Sequence, residues 1–76
     1  DNIEYTFNQD TNILRITSTE VLSNIQIHNM LGQEVLNNKL NQTSESVDLS
    51  DLSSAVYIVN IEGNNSRTKN FKLVVK

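Results

Sequence analysis

Ala55-Val56-Tyr57-Ile58-Val59-Asn60-Ile61 is the stretch from which the rest of the chain is read. Ala55, Tyr57, Val59 and Ile61 alternate along one face, and Val56 and Ile58 make the other face apolar as well. β-Branched and aromatic residues with this period predict a strand, and apolar character on both faces predicts one inside its sheet rather than at the rim. Toward the C-terminus, Gly63-Asn64-Asn65 turns the chain into a last strand, where Phe71, Leu73 and Val75 alternate with Lys72, Val74 and Lys76. Toward the N-terminus, Ser50-Asp51-Leu52-Ser53 reads as a tight connection from a short strand in which Val47 and Leu49 flank Asp48. Residues 41–46 are polar and loop-like.

Before that loop, residues 33–40 predict a strand with Val35 as its clearest inward residue, and Leu31-Gly32 separates it from another over 21–30. In that earlier strand Ile25 and Ile27 share one face, Gln26 and His28 the other. Ser18-Thr19-Glu20 and residues 8–12 are turns, with Leu14 and Ile16 in the strand between them. Ile3, Tyr5 and Phe7 mark the first strand. Tyr5, Phe7, Tyr57 and Phe71 all fall at inward-reading positions. Seven short strands at roughly 8–12-residue spacing, with no sustained helical stripe, predict an all-β, immunoglobulin-like sandwich.

Length and charge narrow what such a fold does. Seventy-six residues hold one core, so residues 1–76 read as a single domain. A hydrophobic fraction of 37% with a net charge of −3 is the balance of a chain that folds. Six Lys plus Arg form no basic surface suited to phosphate backbones, which argues against nucleic acid as a partner. The chain has no cysteine, so disulfides and thiol chemistry are excluded. Asp1 is not a translation start, and the piece reads as cut from the end of a larger secreted protein, with Lys76 as the end of that chain.

Groups that carry catalysis are sparse. His28 is the single histidine and lacks partners at metal-ligand or triad spacing, so neither a metal nor a cofactor is expected. Asp48 and Asp51 form a carboxylate pair on paper, but Asp and Ser in a tight loop are expected there because their side chains accept bonds from nearby backbone N–H groups. Without a nucleophile–base pairing or a phosphate-binding glycine loop, the chain is not expected to be an enzyme. Asn41-Gln42-Thr43 and Asn64-Asn65-Ser66 match the glycosylation pattern, as chance allows in an Asn-rich chain. Gly32 is expected to supply a turn. Tyr57 is expected to act as a corner tyrosine whose hydroxyl bonds the preceding loop. The last strand, Lys69 to Lys76, carries lysines that protect an edge and equally suit it to a partner's sheet.

Three segments carry a family resemblance. Ile25-Gln26-Ile27-His28-Asn29-Met30-Leu31-Gly32-Gln33-Glu34-Val35 resembles the I-x-I-Y-N/D-x-x-G-x-x-V segment of the type IX secretion system C-terminal sorting domain, type A. Residues 47–59, running from Val47 through Leu52, Ala55 and Tyr57 to Val59, resemble its I-D-L-S-x-L-x-x-G-V-Y-x-V. Residues 68–76 resemble its Lys-bearing tail, and Asn12 to Ile16 its opening strand. Ala55 departs from a usual Gly, His28 from an aromatic, and Asn8-Gln9 from a frequent Asn-Pro.

The resemblance implies an immunoglobulin-like sandwich that carries an upstream cargo of the same chain out through the periplasm and outer membrane of Bacteroidetes-type bacteria. It implies as partners the type IX secretion machinery and a surface sortase-like peptidase, and a destination at the cell surface or beyond it. Recognition is expected at Gly32 and Gln33 and along Lys69, Lys72, Leu73, Val74, Val75 and Lys76. Ile25, Ile27, Val35, Leu52, Ala55 and Tyr57 are expected to be structural. The competing expectation is an accessory module that binds carbohydrate or adheres to a surface.

Overall fold

The computed structural model describes residues 3–64 and 67–76. These residues form seven strands: β1 (Glu4–Asn8), β2 (Ile13–Thr17), β3 (Leu22–His28), β4 (Glu34–Lys39), β5 (Ser44–Asp48), β6 (Ala55–Gly63) and β7 (Thr68–Val75). They form a three-stranded sheet in the order β1-β2-β5 and a four-stranded sheet in the order β4-β3-β6-β7, all pairs antiparallel. The strand that is apolar on both faces, β6, lies between β3 and β7, as its pattern predicts.

The inward faces meet in one apolar core. Ile3, Leu14, Ile16, Val47 and Leu49 come from the side of the smaller sheet, and Leu22, Ile25, Ile27, Tyr57, Val59, Ile61, Leu73 and Val75 from the larger. Fully burying one such aliphatic side chain is worth about 1.5–3 kcal/mol, so this alternation is what holds the two layers together. Phe7, Leu36, Leu40, Leu52 and Phe71 close its margins. Tyr5 lies opposite buried Ile16 and so shares the inward face, but it is half exposed because β1 lies at the rim of its sheet; its ring stacks on Phe71 of β7 with centroids 3.7 Å apart.

Two expectations are corrected. Residues 44–46 are strand, not loop: Ser44, Glu45 and Ser46 pair with Thr17, Ile16 and Arg15. Main-chain pairing to β2 selects that strand, and its polar side chains give no apolar signal. Val35 is 38% exposed, not inward. The β3–β4 register jumps between Ile27↔Leu36 and His28↔Glu34, so Val35 is the extra residue of a bulge and Leu36 packs against the core in its place.

Register also fixes the two poles of the sandwich. Glu4 pairs with Thr17, Thr17 with Ser44, Asn24 with Lys39 and Glu62 with Thr68, which places Ile3 and the connections β2–β3, β4–β5 and β6–β7 at one pole. The Ser18 N–H donates to the Thr43 carbonyl at 2.8 Å and the Leu22 N–H to Gln42 at 2.9 Å, tying two of those connections together. The connections β1–β2, β3–β4 and β5–β6 lie at the opposite pole with Lys76. The expected turn at Gly63-Asn64-Asn65 and the match at Asn64-Asn65-Ser66 reach residues 65–66, which lie outside the described residues.

Candidate functional site

The three segments singled out in the sequence come together at the pole of Lys76. The first is the β3–β4 hairpin. Gly32 has φ +86°, a conformation that costs any residue with a Cβ, which explains a glycine there. Asn29 builds the rest. Its Oδ1 accepts from the N–H groups of Leu31 (2.9 Å) and Gln33 (3.0 Å), and its Nδ2 donates to Gln33 Oε1 at 2.9 Å. The Gly32 N–H donates to the Asn29 carbonyl at 3.0 Å. At the tip of this turn Met30 is 59% and Leu31 84% exposed. Two large apolar side chains are thus held out in solvent on a fixed hairpin, with Gln33 committed to its frame. Gly32 and Gln33, where recognition is expected, frame the turn, and the side chains that project from it are Met30 and Leu31.

The second segment is the β5–β6 connection. The Ser50 N–H donates to Asp48 Oδ1 at 2.9 Å, and the Leu52 N–H to the Leu49 carbonyl at 3.0 Å. The backbone and side-chain bonds from Ser50 hold the Asp48 carboxyl below its ordinary value of 3.8. That is the turn chemistry expected of Asp48. The Tyr57 hydroxyl donates to the Ser53 carbonyl at 2.7 Å and stands 3.4 Å from the Ser53 hydroxyl. This bond spans the chain's entry into β6, while the ring is buried beneath it. Ala55 is exposed and does not have a positive φ. Ile25 and Ile27 are fully buried, and Leu52 borders the core.

The third is β7. Its alternation is strict: Lys69, Phe71, Leu73 and Val75 lean inward, while Asn70, Lys72 and Val74 face out. Leu73 and Val75, expected to meet a partner, are 5% and 2% exposed and belong to the core. The side chains that the tail exposes are Lys72, Val74 and Lys76. The β1–β2 turn lies against this tail. Gln9 Nε2 donates to the Val74 carbonyl at 3.0 Å, and its Oε1 accepts from the Lys76 N–H at 3.4 Å. These contacts join residues 65 and 67 positions apart, and nothing local in the sequence announces them. Asn12, with φ 57°, shapes the same turn, and its carbonyl accepts from the Leu49 N–H at 2.8 Å.

On the outer face of the larger sheet, Ile58 pairs with Lys72 and with His28, and Val56 with Val74. An apolar strip of Val56, Ile58 and Val74 beside a lysine therefore runs up to the pole. Among the described residues, no group of three or more His, Cys, Asp or Glu is arranged to hold a metal ion.

Among solved structures, the chain is similar to a DUF3244 family protein with an immunoglobulin-like β-sandwich fold from Bacteroides vulgatus. The TM-score is 0.76 at 14% identity, covering 100% of this chain and 98% of that one. At that identity the likeness establishes the immunoglobulin-like sandwich and nothing about activity. No curated protein matches the chain. The family model of the secretion system C-terminal sorting domain matches residues 8–76, a span that takes in the hairpin, the tyrosine corner and the tail. The chain therefore belongs to that family, and it is a sorting signal of the type IX secretion system, whose route ends at the cell surface or outside the cell.

Proposed function

We propose that this domain is gripped as a folded body by the type IX machinery at the pole of Lys76, on behalf of a cargo that precedes it in the same chain. The observation that carries the reading is the polarity of the sandwich. Ile3 lies at one pole, whereas the Met30-Leu31 tip and the exposed side of the tail lie at the other. A cargo entering through β1 leaves the far pole unobstructed, with Lys72, Val74 and Lys76 available beside the hairpin framed by Gly32 and Gln33. Lys69 leans toward the core margin, on the opposite face of β7 from Lys72 and Lys76, and adds charge to the same strand. In this reading the domain supplies shape and charge and no covalent chemistry. Its removal from the cargo falls to a sortase-like peptidase at the surface, acting before β1.

The test grafts residues 1–76 onto a neutral periplasmic passenger in a bacterium that has the type IX system. The wild-type graft is expected at the surface or in the medium. Leu31→Asp and Val74→Asp, which alter exposed side chains, are expected to keep the passenger inside while leaving the domain protease-resistant. A wild-type graft that stays in the periplasm counts against the sorting role of this chain, and full export of both variants counts against this pole.

A further inference from the structure

The eight residues of β7 make it the longest rim strand of the molecule; β1 and β5 have five residues and β4 has six with a bulge. Rim strands are usually short, bulged or covered, because their unpaired N–H and C=O groups invite another strand. The β6–β7 pairing runs from Glu62↔Thr68 to Ala55↔Val75 with no register shift, so β7 carries no bulge along its length. Gln9 shows which way its main chain points. The Val74 carbonyl and the Lys76 N–H face away from β6, since both bond the Gln9 amide. In an antiparallel ladder every second residue directs both its groups to the same side. Asn70 and Lys72 therefore turn their N–H and C=O outward too, and among the described residues nothing is bonded to them there.

The Gln9 side chain already makes, at Val74 and Lys76, the donor-and-acceptor pair of contacts that a neighbouring strand would make. The edge accepts an amide partner at its last residues and is open immediately before them. Resting on the reading that the export machinery grips this pole, we propose that the outer edge of β7 at Asn70–Lys72 is a strand-addition site for an extended, carboxylate-bearing segment of that machinery. Gln9 marks where the added strand stops.

Charge selects the occupant. Lys69, Lys72 and Lys76 are three of the chain's six cationic side chains and all lie in its last eight residues. A second copy of β7 would bring another lysine-bearing strand to this edge, and like charges close together across a ladder are destabilising. A segment bearing Asp or Glu satisfies the same edge with opposite charges. Main-chain bonds then supply the attachment and the carboxylates its register.

The experiment uses the exported passenger fusion with three single substitutions. Asn70→Ala keeps the outward N–H and is expected to export as wild type. Asn70→Pro removes that N–H at a position where a rim strand tolerates proline, and export is expected to fall about tenfold or more. Lys72→Glu disturbs no main-chain bond, and it is expected to lower export severalfold. Protease resistance of each fusion reports folding; if Asn70→Pro is unfolded, Lys72→Glu alone decides. Wild-type export of a folded Asn70→Pro, or of Lys72→Glu, overturns strand addition while the sorting role stands. Failure of the wild-type fusion to export is the separate result that removes the sorting reading itself. A concentration-dependent dimer abolished by Asn70→Pro assigns the edge to a second copy and likewise overturns the proposal.

Discussion

At the scale of single residues, the pole is built from small polar groups that satisfy the backbone where strands end. Tyr57 is the one with most at stake, because its ring is buried and its hydroxyl is committed to the Ser53 carbonyl. Tyr57→Phe keeps the ring and deletes the donor, leaving a partly buried carbonyl without its partner. A loss of about 1–2 kcal/mol is expected in urea unfolding, with an unchanged m-value. Asp48 adds a pH dependence. Its carboxyl titrates below 3.8 in the folded chain because of its Ser50 bonds. The unfolded chain therefore binds the proton more readily, so the contribution of Asp48 is complete above that value and is lost as pH falls through the folded one. The melting temperature of the wild type should drop between about pH 5 and pH 2, and Asp48→Asn should flatten part of that drop. An identical pH profile for Asp48→Asn would mean that the Ser50 bonds do not distinguish folded from unfolded carboxylate. Asn29 works in the same way without a charge: one side-chain amide makes three bonds within the hairpin and fixes the turn from which Met30 and Leu31 project.

At the scale of elements, β4 separates what a period-two pattern reveals from what it hides. Val35 and Leu36 are neighbours of like character, and a simple alternation assigns the inward place to the first. The bulge shifts the phase by one, so that Leu36 faces the core and Val35 the solvent. Val35→Thr should accordingly change stability by no more than about 0.5 kcal/mol, whereas Leu36→Ala should cost roughly 1–2 kcal/mol, less than a fully buried leucine. Equal costs would place both side chains in the core margin. The strands with apolar alternation, β2, β3, β6 and β7, were legible because each inward side chain contributes to burial and so leaves a trace in the sequence. β5 was half legible: Val47 announces it, while Ser44 to Ser46 are held only by main-chain bonds to β2, which any residue supplies. The tyrosine corner and the Gly32 turn were legible because each needs a particular residue type. The Gln9 contacts were not, since a glutamine in a polar turn looks the same whether or not a strand 65 residues away lies beside it.

At the scale of the whole molecule, β7 completes the core and, on the proposed reading, also meets the machinery, with the two jobs alternating residue by residue. Leu73 and Val75 complete the core, and Lys72, Val74 and Lys76 face outward on the same strand. A deletion of residues 72–76 therefore removes both at once. Losing a buried leucine or its equivalent costs about 2–5 kcal/mol, and an entire small domain is held by little more than 5 kcal/mol. The truncated chain is expected to lose its cooperative urea transition, so that any failure of its export reads out unfolding as much as recognition. Lys72→Glu and Val74→Asp leave Leu73 and Val75 in place and should unfold within about 0.5 kcal/mol of the wild type. Export and unfolding measured on the same proteins then divide the two jobs: the truncation should fail in both assays, the outward substitutions in export alone. A truncated chain that still unfolds cooperatively would mean that the core closes without Leu73 and Val75. In that case those two side chains, not needed for packing, would rejoin the candidates for the proposed contact with the machinery.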